Sequence, residues 1–201
     1  MEKNNELLGL TLYGFKSSTN GFDPTIFNNY IELIQTIRSV LKKYFTKTNR
    51  FCYCKNSYGI KYMVKKYVNE YIPNGLFIYT MYLDGFSIKK DGKNAFFNIK
   101  ETDIRCLKNA PEILQKISET NINIQYFEKR DQNLKYHFKS IINSVFSKTN
   151  PLKKDVIRVI SKEIGVNLDT VRMWFNLTKD EGVCIPKDKY EQLIRIFGLN
   201  D

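Results

Sequence analysis

Between Glu32 and Glu70 the chain has no acidic residue, yet Arg38, Lys42, Lys43, Lys47, Arg50, Lys55, Lys61, Lys65 and Lys66 all fall in that window. Tyr44, Phe45, Phe51, Tyr53, Tyr58 and Tyr62 are interleaved with them. Cationic side chains neutralise phosphates and release condensed counterions, and an exposed aromatic ring offers a face on which an unpaired base stacks. The mixture points to a single nucleic-acid-binding patch. The competing reading is a solvated basic face whose aromatics, set at helical spacing, turn into the core. Groups suited to catalysis are scarce. His137 is the one histidine, and Cys52, Cys54, Cys106 and Cys184 make a C-x-C pair with two scattered partners, which is no zinc spacing. The thiols read as buried and reduced. With no Gly-rich phosphate loop and no nucleophile motif, neither enzymatic activity nor a metal or cofactor is expected.

A second constellation lies in VIRVISKEIGVNLDTVRMWF, residues 156–175. Two helices that meet near a right angle need a small residue at their contact, a turn residue free to take positive φ, and apolar residues that close the angle. Ser161 takes the small site and Gly165 the turn, while Ile160, Ile164, Val166, Val171 and Trp174 supply the apolar clamp.

On these residues, together with Ile185-Pro186 and a closing stretch from Tyr190 to Gly198, the segment 134–199 resembles the lambda-repressor-like helix-turn-helix domains of phage and plasmid regulators. The resemblance implies that a helix over 167–176 lies in the major groove, with Asn167, Leu168, Asp169, Thr170, Arg172, Met173 and Asn176 at base edges. Arg172 would pair with guanine, Asn167 or Asn176 with adenine, and Leu168 or Met173 would touch a thymine methyl. Asp169 would accept from cytosine or orient Arg172. Lys153, Lys154, Thr170 and Lys179 are placed for phosphate contacts, and a two-fold site implies a homodimer.

The elements that must carry these residues follow from periodicity and breakers. Residues 1–23 read as a short strand or irregular arm. Asp23 caps a helix over 24–45, with Pro24 in its first turn and Phe27, Tyr30, Leu33, Ile34, Ile37 and Leu41 among its apolar positions. A loop over 46–56 precedes a helix over 57–71 that Pro73 stops, and Asn74 caps a third helix over 74–84 that is apolar nearly all round. A hairpin over 86–99 turns at Asp91-Gly92. Helix, tight turn, helix, hairpin is the order of a winged helix, although so apolar a third helix suits a core or a dimer contact better than DNA reading. Parts of this half, among them Ser57 to Lys61, Asn74-Gly75, Gly85-Phe86 and Asn94 to Asn98, are similar to a stretch in uncharacterised phage and plasmid proteins, which implies a mobile-element context and no activity. A helix over 111–119, a strand over 122–127 and a charged boundary at 128–131 come next, then helices over 134–146, 152–164, 167–176 and 187–197.

The expected fold is therefore mainly α with a small β-hairpin: a basic α+β domain over 1–131 and an all-α helix-turn-helix domain over 132–201. The formal charge of +11 on 201 residues divides between them. The first part holds twenty basic and thirteen acidic side chains, and the second twelve and eight. A balance of this sign favours a polyanionic partner, and no run of eighteen apolar residues suggests a membrane span. The expected function is a sequence-specific regulator that binds double-stranded DNA of a phage, plasmid or similar element in the cytoplasm. The alternative is an inhibitor of a host nucleic-acid-based defence, of anti-CRISPR type, whose N-terminal domain binds RNA or a ribonucleoprotein while the C-terminal module represses its own promoter.

Overall fold

The computed structural model describes residues 6–17, 21–119, 142, 143, 146, 150–175 and 185–196. Among the described residues the chain is mainly helical with two small antiparallel sheets, and its contacts divide it into two compact units, Met1–Leu107 and Lys108–Asp201. The charged stretch 128–131, the strand over 122–127, His137 and Cys184 lie outside the described residues, as does most of the helix expected over 134–146.

The first unit opens with a two-strand arm, β1 (Leu10–Thr11) and β2 (Gly14–Phe15). Asp23 caps the next stretch, accepting from Thr25 N at 2.9 Å. The helix expected over 24–45 is two pieces. Pro24–Tyr30 winds as a 3₁₀ helix, Tyr30 leaves helical geometry at φ −118°, and α1 covers Ile31–Tyr44 with Leu33, Ile34, Ile37, Leu41 and Tyr44 inward.

The loop expected over 46–56 contains a strand, β3 (Lys47–Cys52). Its sequence, KTNRFC, has no apolar alternation, so nothing local announces it. It is ordered by pairing with β5 and by Asn98, whose amide donates to Thr48 O at 2.8 Å. Helix α2 (Ser57–Val68) ends before Pro73, because Asn69 turns left-handed at φ 55° and donates to Lys65 O. In α3 (Asn74–Leu83) Asn74 is the first helical residue, and its amide is turned away from the cap to Lys93 O and Asn94 Oδ1, both at 3.1 Å. The hairpin forms, but its turn is one residue later than expected: Asp91 pairs with Asn94 at the end of β4 (Ile88–Asp91), so Gly92, at φ 57°, and Lys93 join it to β5 (Asn94–Ile99). Strand order in the sheet is β3-β5-β4.

Helix α3 is buried on nearly every side, and its burial is satisfied within the unit. The arm lies on its first turn, with Gly75 N donating to Leu12 O at 2.9 Å, and Phe15 N ties the arm to the hairpin tip at Lys93 O, 3.1 Å.

Helix α4 (Glu101–Ser118) starts well before the expected 111, so Pro111 sits in its interior. Proline has no N–H for the carbonyl four residues earlier, here Leu107 O. That carbonyl instead accepts from the Tyr67 hydroxyl at 2.9 Å. Tyr67→Phe leaves a buried acceptor unpaired and should cost about 1–3 kcal/mol, read as a lowered urea midpoint with an unchanged m-value.

The second unit is helical in its described residues. The C-terminal half of α4 buries Ala110, Ile113 and Ile117, and Asn109 donates to Asp155 Oδ2 at 3.0 Å. Helices α5 (Lys153–Ile164), α6 (Leu168–Phe175) and α7 (Lys187–Ile196) enclose Val156, Val159, Ile160, Val171, Trp174 and Leu193. Among the described residues no helix is long and apolar enough to cross a membrane.

Candidate nucleic-acid interface

The turn between α5 and α6 is built from the residues whose spacing singled it out. Gly165 ends α5 in the left-handed region at φ 65°, where a side chain would be strained. Ser161 does more than stay small: its hydroxyl donates to Val166 O at 2.6 Å, and its carbonyl accepts from Val166 N at 3.1 Å. Ile160, Ile164, Val171 and Trp174 are buried, and Val166 is half-buried. A cation completes the corner, with Lys189 of α7 donating to Ile164 O at 3.1 Å, where the carbonyls at the end of α5 carry partial negative charge.

On α6 the outward set is Asp169, Arg172 and Met173, with Leu168 and Thr170 half-buried. Asn167 stands just before the helix, and its Oδ1 accepts from Asp169 N at 2.8 Å, which commits that oxygen to the N-cap. Asp169 pairs with Arg172, Oδ1 to Nη1 at 2.9 Å, one turn along the helix. Both groups are well exposed, so the pair adds little to stability; it places the guanidinium beside the carboxylate on the outward face. Lys153 is half-buried and Lys154 exposed at the start of α5. Asn176 and Lys179 lie outside the described residues.

The acid-free window spreads over three elements. Lys42 and Lys43 stand exposed at the end of α1, Lys47 and Arg50 on β3, Lys55 in the loop beyond it, and Lys65 and Lys66 on α2. Arg38 and Lys61 are bound to other parts of the fold by hydrogen bonds. Arg38 donates to the buried Asp84 carboxylate at 2.6 Å. Lys61 is buried, donates to Ile72 O at 3.0 Å, and burial followed by the charge of Lys65 lowers it below the ordinary lysine value. Arg38→Ala would strand Asp84 without its cation and should cost about 2–3 kcal/mol, measured as a lower thermal midpoint; Arg38→Lys should recover part of it.

The aromatics divide as well. Tyr44 and Phe45 are core residues, whereas Tyr53, Tyr58 and Tyr62 are exposed. Two further exposed side chains of these types lie outside the window. Tyr71, in the loop after α2, is exposed, and Lys89 on β4 lies 4.9 Å from the Tyr53 ring centroid and donates to its hydroxyl at 2.9 Å.

The expectation of buried thiols holds for Cys106 but not for the pair. Cys54 is exposed and Cys52 half-exposed, because the end of β3 runs along an open groove of about 580 Å³ lined also by Arg50, Tyr53 and Glu101. Their sulfurs are 2.8 Å apart. Partial desolvation and the hydrogen bond with Cys52 push the Cys54 thiol up to about 12. Since the thiolate is the nucleophile, Cys54 should alkylate slowly with iodoacetamide at pH 8 in spite of its exposure, and faster as pH rises toward that value; peptide mass mapping checks this. No family model, curated protein or solved structure matches this chain.

Proposed function

We propose that the protein is a sequence-specific DNA-binding regulator of a phage, plasmid or similar element, which docks α6 in the major groove as one half of a dimer. The observation that carries this reading is the α5–α6 corner. The Ser161–Val166 staple, the left-handed Gly165 and the buried Trp174 hold α6 so that the Asp169–Arg172 pair and Met173 face outward. A guanidinium aligned by a carboxylate suits bidentate pairing with guanine, and an exposed methionine suits a thymine methyl. In the first unit the order α1-β3-α2-α3-β4-β5, with the first strand of its sheet paired to the last, supports a winged-helix-like arrangement. Its third helix has no basic residue and is buried, so duplex reading falls to the second unit.

The test is binding of the full chain to duplexes selected from a random pool. A selected site should be preferred over scrambled duplex, with affinity falling steeply as salt rises. Arg172→Ala should cut the discrimination at one base pair about tenfold or more. An unchanged preference overturns the assignment of α6.

A further inference from the structure

We infer that the first unit binds single-stranded nucleic acid on a tyrosine–lysine platform formed by α2 and the loop after it. This site is separate from the duplex-reading helix and does not depend on that assignment.

Tyr58, Tyr62 and Tyr71 are 54%, 57% and 59% exposed, so three large rings in one neighbourhood stand in water. Each has a lysine ammonium within 6 Å of its centroid. Lys61 Nζ lies 4.9 Å from the Tyr58 centroid and 5.2 Å from that of Tyr71, while its bond to Ile72 O pins the loop that carries Tyr71. Lys65 Nζ is 5.9 Å from the Tyr62 centroid. The Tyr58 and Tyr62 rings, one helical turn apart, have centroids 6.0 Å apart and planes inclined at 47°, so they do not stack on each other. Lys66 is exposed on the same helix, and the stem of Lys55 lies over Gly59 beside Tyr58.

Two features choose the ligand. The chain has cations and no acid between Glu32 and Glu70, which favours a polyanion even though the exposed Glu70 precedes Tyr71 and Asp91 lies at the start of α2. A duplex keeps its base faces stacked inside and offers phosphates and groove edges, whereas a single strand exposes both phosphates and base faces. Exposed tyrosine faces interspersed with lysines match the second, and stacking of this kind tolerates any sequence because every base has a π face.

The test uses the full chain and three labelled probes: an oligothymidylate of roughly sixteen nucleotides, an abasic oligonucleotide with the same number of phosphates, and the selected duplex. The oligothymidylate should bind at least about tenfold tighter than the abasic strand. The double substitution Tyr58→Ala with Tyr62→Ala should remove most of that difference, about tenfold or more, while leaving the abasic and duplex affinities unchanged. Tyr58→Phe with Tyr62→Phe should retain it. These rings are exposed, so the alanine variants should fold, which circular dichroism checks. Equal binding of oligothymidylate and abasic strand overturns the inference, as does an alanine variant with wild-type affinity for the oligothymidylate. Arg172→Ala should alter only the duplex arm, so the two assignments fail separately.

Discussion

Gly75→Ala should detach the N-terminal arm and lower the unfolding midpoint of the first unit by about 10–20 °C, the equivalent of about 3 kcal/mol. A Cβ at this position would stand 1.7 Å from Thr11 O and 2.8 Å from the Leu12 carbonyl. All of these are backbone atoms, so no rotamer change relieves the overlap, and either α3 or the arm must move. If the arm moves, the Gly75–Leu12 hydrogen bond is lost, and Leu10 and Phe15, both buried on the arm, become exposed. Calorimetry of the full chain reads the midpoint, and hydrogen exchange at Phe15 N reads the arm. Gly92→Ala is the control. Its φ is 57° but nothing lies within 4 Å of a Cβ there, so only the left-handed penalty of about 1 kcal/mol applies. A Gly75→Ala protein that melts like the Gly92→Ala control would show that the arm is not seated on α3.

Trp174→Ala should abolish duplex binding and leave the oligothymidylate affinity unchanged. Trp174 is 2% exposed and sits with Val171 on the inward side of α6, opposite Arg172 and Met173. Truncating a buried tryptophan costs about 3–5 kcal/mol, which is comparable to the whole stability of a marginal domain. The helix that presents Arg172 would then have no fixed seat. Parallel titrations with the two probes, alongside calorimetry, separate the outcomes. Duplex affinity within a few fold of wild type would mean that α6 is not the reading element.

Much of the second unit was legible because its constraints are local. Ser161, Gly165 and Val166 lie within one turn and build their corner from their own hydrogen bonds. The Asp169–Arg172 ion pair spans three residues. The β4–β5 hairpin was legible for the same reason, a glycine turn between short strands, although the turn lies one residue later than Asp91-Gly92. Legibility failed where a distant partner supplies the order. Strand β3 is polar and exists because β5 pairs with it. Helix α4 tolerates Pro111 because Tyr67, forty residues earlier, satisfies the carbonyl that proline leaves open. Helix α2 stopped at an asparagine, a residue whose left-handed preference is weaker and easier to overlook than the proline that followed.

The sequence by itself determined the excess of positive charge, its concentration in an acid-free window, and the corner between α5 and α6, since these depend on composition and on spacing within a few residues. Only the tertiary structure decided which members of the window face water. Arg38 is turned to Asp84, Lys61 is drawn under Tyr58 and Tyr71, and Tyr44 and Phe45 are taken into the core, while Tyr58, Tyr62 and Tyr71 remain outside. Helical spacing puts residues on a common face, but whether that face meets a neighbouring element or solvent depends on packing between residues far apart in the chain.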